Sequence, residues 1–372
     1  MKRTLVVRLT LTLVVVLSVA AFLYAQAPAA GTVEHIKVHA KSLEVNLLGD
    51  SPDRDVFVYL PPSYQANKNQ RYPVVYLLHG YGLTAERWVP FLGMPELADK
   101  DIAAGTSKEM ILVSPDSFNK YNGAMYSSSP TNGDWETFLS KELVAYVDKN
   151  YRTIATRDSR GLAGHSMGGY GTWRLAMKYP EVWSSIYAMS SCCLMNGTPP
   201  AARGGGTPGA AKGPAPAAAP PAAAAAANGK QDDGKGKGGA KGGRGGGFGN
   251  TAFAEAAAWS PNPAKALFFD QLNEDGKYNA MVGAKWMANS PLVMANFYVA
   301  NLKKFKAVAM DVGLQDTLYG SNRDMDALLT SLGIAHTYET YEGDHTNHVK
   351  DRFEQKVLPF FTAHLTFSAA KR

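Results

Sequence analysis

The chain has 372 residues, 45% of them hydrophobic and 19% charged, enough to bury the core of one large domain or at most two. Its net charge of +6 is uneven. The first eight residues carry +3 and residues 197–250 carry +5, so the remainder is weakly acidic at −2, which argues against nucleic-acid binding.

The chain opens on Met1-Lys2-Arg3, and residues 5–24 are apolar apart from Arg8 and a few hydroxyls. Small residues follow at Ala25-Gln26-Ala27. This pattern predicts a secretory signal peptide over residues 1–27, cut near Ala25 or Ala27, and hence a secreted or periplasmic protein. The alternative is an uncleaved membrane anchor; no later stretch is long and apolar enough to span a bilayer. A folded domain is expected over residues 31–372. Residues 55–60 alternate as a strand that Pro61-Pro62 stops. Residues 74–78 are a continuous apolar run ending in His79-Gly80-Tyr81-Gly82, and residues 110–113 are another, ending in Ser114-Pro115-Asp116. Phe138, Leu139, Leu143, Val144 and Val147 form a helical stripe within residues 135–147.

A short strand over residues 160–164 leads into a helix over 167–178, and residues 185–189 form the next apolar strand. Cys192 and Cys193 follow it, either as a strained vicinal disulfide or as small buried thiols. Residues 197–250 are nearly all Gly, Ala, Pro and Lys and cannot bury enough apolar surface to offset their ordering entropy. The segment is expected to be a disordered insertion within one domain, with at most a brief helix at residues 222–227. Strands are then expected at 307–312 and 337–341, with helices from about 321 and over 349–365. Apolar strands alternating with helices predict an α/β fold, a mostly parallel twisted sheet with helices on both faces.

The chemistry centres on Gly164-His165-Ser166-Met167-Gly168-Gly169. A strand precedes this string and a helix follows it, the setting of a nucleophile elbow in which a strained turn lifts the serine oxygen above the sheet. The competing reading makes Ser166 a simple helix cap. A serine needs a base, and the base an orienting acid, in the chain order Ser, Asp, His. Asp316 and His345 each lie just past a strand, where α/β sheets place their sites. Asp311 is a rival that sits within its strand, and His348 is a rival three residues beyond His345. His79 and His165 are expected to be packing histidines. The amides of Met167 and Tyr81 are the candidate oxyanion donors. With no phosphate loop and no spaced metal ligands, no cofactor is expected.

These residues resemble the esterase family that includes esterase D (S-formylglutathione hydrolase), bacterial feruloyl esterases, enterochelin esterases and the antigen 85 mycolyltransferases. The resemblance lies in Val58-Tyr59-Leu60-Pro61-Pro62-Ser63-Tyr64, in Tyr72-Pro73-Val74-Val75-Tyr76-Leu77-Leu78-His79-Gly80, in the elbow, in Gly313 with Asp316 and in Gly343 with His345. It implies an α/β-hydrolase fold and ester hydrolysis by Ser166, Asp316 and His345, with Tyr81 and Met167 at the oxyanion. Thr346-Asn347-His348 departs from the aromatic residue that often follows the histidine, and the insertion falls where a substrate cap commonly sits. The expected substrate is a feruloyl or acetyl ester of a polysaccharide, with acyl transfer to a sugar or non-catalytic binding as alternatives.

Overall fold

The computed structural model describes residues 30–195 and 251–368. The expected signal peptide, disordered insertion and brief helix at 222–227 lie outside the described residues. Among the described residues ten strands form in chain order: β1 Thr32–His39, β2 Asp53–Leu60, β3 Val74–Leu78, β4 Ile111–Pro115, β5 Arg160–His165, β6 Ser185–Met189, β7 Asn273–Glu274, β8 Lys277–Tyr278, β9 Ala307–Gly313 and β10 Thr337–Tyr341. Eight make one sheet in the order β1-β2-β4-β3-β5-β6-β9-β10. β1 with β2 and β2 with β4 are antiparallel; every later neighbour is parallel.

The two-residue period of the strands explains the layering. Val74, Tyr76 and Leu78 of β3 face one core, with Leu162, Ile186 and Met310. Val75 and Leu77 face the other, with Ala163, Tyr187 and Ala309. Helices Leu143–Asn150, Met167–Lys178, Ala252–Trp259 and Tyr319–Ser331 cover the first face. Ala85–Leu92, Met94–Ala104 and the C-terminal helical segment cover the second. Strands buried on both faces must be apolar throughout, as β3, β4 and β6 nearly are. No helix of the described residues is long and apolar enough to cross a membrane.

The structure departs from the expected elements in a few places. The helix expected over 135–147 runs to Asn150 and opens into a wide π turn at Phe138–Glu142. There Ser140 Oγ donates to the Glu136 carbonyl at 2.6 Å, competing with the backbone ladder. The helix expected from about 321 begins at Tyr319, and β4 starts at Ile111 rather than Met110. β1 lacks a clean apolar alternation because it lies at the sheet edge, where among its residues only Val38 is buried.

Candidate active site

The elbow sits between β5 and helix Met167–Lys178, in the middle of the sheet. Ser166 has φ 58° and ψ −114°, a conformation costly for any residue with a side chain. Two glycines permit it: a Cβ at Gly164 would collide with the Gly168 carbonyl, and one at Gly168 with the Leu78 carbonyl. Three backbone bonds hold the bend. Ser166 N–H donates to Met189 at 3.0 Å, and the Ser166 carbonyl accepts from Tyr170 at 3.0 Å and Cys192 at 3.1 Å. Such over-determination is what keeps a strained residue in place.

Asp316 and His345 come from neighbouring loops after β9 and β10. Those loops are locked together: Gln315 N–H donates to the Gly343 carbonyl at 2.9 Å, and Gly343 N–H to Gln315 Oε1 at 2.6 Å. A Cβ at Gly313 would strike the Gly343 carbonyl, so the approach requires glycine there. His345 Nδ1 lies 2.8 Å from Asp316 Oδ2, while Asp316 Oδ1 accepts from Leu318 N–H at 2.8 Å. The carboxylate is thus oriented from both sides and directs the Nδ1 proton of the ring toward itself, leaving Nε2 as the basic nitrogen. Ser166, Asp316 and His345 are 5%, 5% and 7% exposed, so the site is nearly closed to bulk water.

His165 has a polar role that sequence reasoning misses. Its Nε2 donates to the His345 carbonyl at 2.8 Å, and its ring lies between Trp88 (6.1 Å) and His345 (4.7 Å). The residue before Ser166 therefore anchors the backbone of His345. Burial, with the nearby His345 ring, pushes the His165 imidazole down to about 3. The ring is neutral when folded and takes up a proton near 6.5 when unfolded, so stability is intact above 6.5 and is lost as pH falls toward 3. The full loss would be about 5 kcal/mol. His165→Gln keeps a donor and removes the titration, so its unfolding midpoint in acid should move to lower pH. Parallel loss of stability by both proteins between pH 6.5 and 4, followed by tryptophan fluorescence, would assign the acid limb to other groups.

The loop after β3 packs directly on the elbow, where a Cβ at Gly80 would meet Ser166 Cβ at 3.5 Å. It is pinned by Gly82 N–H to the Asn122 carbonyl (2.9 Å) and by Tyr126 hydroxyl to the His79 carbonyl (2.9 Å). A Cβ at Gly123 would contact the Met167 sulfur at 2.5 Å and the Tyr81 ring at 3.2 Å, so Tyr81 and Met167 converge on one spot. Sequence reasoning also misses this 116–126 segment; its only signal is the turn-prone Asn119 and Asn122-Gly123. His79 is fully buried and accepts from Ser117 N–H at 2.8 Å, a packing role.

The rival residues are engaged elsewhere. Asp311 Oδ2 accepts from Tyr187 hydroxyl at 2.8 Å and Arg352 Nε at 2.7 Å. His348 is partly exposed and pairs with Asp351 at 2.6 Å. Cys192 and Cys193 are free thiols, partly exposed. Next to Asn122, whose carbonyl accepts from Gly82 N–H, the ring of Tyr121 forms a cluster with Phe253 and Phe269, with centroids 5.4–5.9 Å apart.

The sequence profile of the family named Esterase matches residues 51–356. An esterase of Mycobacterium tuberculosis is 38% identical over 130 residues, covering 33% of this chain and 26% of its own. An endo-1,4-β-xylanase/feruloyl esterase of Xylanibacter ruminicola is 36% identical over 132 residues, 34% of this chain and 18% of that one. The bovine (Bos taurus) S-formylglutathione hydrolase is 31% identical over 148 residues, 37% and 51% respectively. The matched segments thus span between a fifth and a half of these relatives. A ferulic acid esterase structure superposes with TM-score 0.60 over 90% of this chain and 99% of its own, at 21% identity. The MPT51 protein of Mycobacterium tuberculosis does so at 0.56, over 91% and 100%, at 16% identity. The architecture is the α/β-hydrolase fold.

Proposed function

The chain belongs to the Esterase family, and from that premise we propose that it is an exported serine carboxylic-ester hydrolase working through an acyl-enzyme. The observation that carries the reading is the Asp316–His345 contact of 2.8 Å, tied by the His165–His345 bond of 2.8 Å to the residue preceding a serine held at φ 58°. In the proposed cycle His345 Nε2 accepts the Ser166 Oγ proton as that oxygen attacks the ester carbonyl. Asp316 stabilises the imidazolium without taking its proton. The amides of Met167 and Tyr81 hold the oxyanion, each worth about 3 kcal/mol in the transition state. The imidazolium then protonates the departing alcohol. Water, activated by the same nitrogen, attacks the acyl-enzyme and releases the acid with Ser166 restored.

We further propose an aromatic acyl group, as in feruloyl esters of polysaccharide. The Tyr121–Phe253–Phe269 ring cluster supports it, since Tyr121 and Phe253 leave ring surface exposed on which a phenolic plane can pack. The leader pattern of residues 1–27 supports export toward such a polymer. A panel of acetyl, butyryl and feruloyl esters at fixed pH tests the reading, and kcat/KM should be highest for the feruloyl ester. A flat profile, or release of ferulate from feruloylated xylan no faster than in buffer, would remove the aromatic assignment. Product analysis with trehalose or glycerol present should show free acid; an acyl-sugar product instead would make the protein a transferase.

A further inference from the structure

Beyond β6 the chain bends sharply, with positive φ at Ser190 (41°) and Cys193 (60°). The bend brings the Cys192 and Cys193 Sγ atoms to 2.6 Å from one another. Both are free, and neither residue is fully buried. The pair is wired in two directions. Cys192 N–H donates to the Ser166 carbonyl at 3.1 Å. Cys193 Sγ donates to Glu255 Oε1 at 3.3 Å, on helix Ala252–Trp259.

We propose that Cys192 and Cys193 form a thiol–disulfide exchange site that takes a small-molecule or protein disulfide as co-substrate, and that closing the vicinal bridge releases the backbone bond holding Ser166. In the first step the Cys192 thiolate attacks an external disulfide, forming a mixed disulfide and expelling one thiol. In the second, Cys193 Sγ attacks Cys192 Sγ as Glu255 takes its proton, and the second thiol leaves. Two protein thiols are oxidised and one external disulfide is reduced to two thiols. The hydrogen bond with Cys192 and burial push the Cys193 thiol well above its ordinary range, so it needs a base in contact. Burial pushes the Glu255 carboxyl up to about 6, leaving it an ionised base at neutral pH. Adjacent cysteines fit bridge geometry poorly, which favours a readily reversed bond. Closing it into an eight-membered ring changes the backbone torsions of Cys192, whose own N–H, on the 191–192 peptide, is the donor to the Ser166 carbonyl.

Exchange itself is independent of the esterase reading; only its effect on turnover rests on that reading. The full chain would be incubated with oxidised or reduced glutathione. It would then be followed by intact mass, by amide hydrogen exchange over residues 190–195, which hold the Cys192 donor, and by fluorophosphonate labelling. Oxidation should remove the mass of two hydrogens, reversibly with dithiothreitol. It should also speed exchange in that peptide and slow labelling, each by about fivefold for one lost hydrogen bond. Cys193→Ser should stop at a single glutathione adduct, and Glu255→Gln should accumulate that adduct before closing slowly. Failure to lose two hydrogens overturns the exchange site, and loss with unchanged amide exchange overturns its link to Ser166. If the probe labels neither redox state, the esterase reading fails, while mass and amide exchange still decide the inference.

Discussion

Ser166→Ala is expected to lower kcat by about 10⁶-fold on any ester the protein cleaves, leaving only the contribution of binding and the oxyanion donors. The argument starts from the elbow. Ser166 occupies a conformation costly for a side-chain-bearing residue, and three backbone bonds rather than its hydroxyl hold the bend. Alanine can take the same φ and ψ at the same cost, so the variant should melt within about 0.5 kcal/mol of the parent. Loss of turnover with the fold intact would place the effect in the hydroxyl. Fluorophosphonate labelling should vanish in the same variant, since the probe reacts only with an activated oxygen. Retention of p-nitrophenyl acetate cleavage at near the parent rate would leave the proposed mechanism without its nucleophile.

The second large effect is expected from Asp316→Asn, a fall in kcat of about 10⁴-fold with little change in KM. The Leu318 amide donates to Oδ1, so an asparagine keeps that bond with its carbonyl oxygen and turns its NH₂ toward His345 Nδ1. The ring must then accept at Nδ1 and carry its proton on Nε2. In that tautomer it cannot take the hydroxyl proton of Ser166, although every atom remains nearly in place. Proton NMR of the ring nitrogens would read the tautomer directly, independently of turnover. A variant with the parental tautomer and parental kcat would show that the carboxylate merely packs.

Much of the sheet is legible in the sequence, because strands covered on both faces must be apolar without interruption. Val74–Leu78 and Ser185–Met189 stand at the expected bounds, as does helix Met167–Lys178; Thr337–Tyr341 does too, although it is a polar edge strand. β1 is not legible, because an edge strand that buries only Val38 has no pattern to show. Nor are the helices over residues 252–302, which pack on other helices: Pro291–Phe297 and Val299–Leu302 on the elbow helix, Ala252–Trp259 on Ala280–Ala288. For the site, residue types and chain order single out Ser166, Asp316 and His345, since each lies just past a strand. Contacts across long separations leave no local trace. His165 to the His345 carbonyl spans 180 residues, and the 116–126 segment that pins the Tyr81 loop shows only ordinary turn chemistry.

The order of the strands has a consequence for heat. The proposed nucleophile rises from the middle of the sheet, whereas the proposed base follows β10, the outermost strand, whose five residues are all at least partly exposed. Outer strands fray at temperatures where the interior is still intact. Inactivation should therefore precede the cooperative melt, and it should reverse on cooling, because the strained bend is built on strands that have not yet let go.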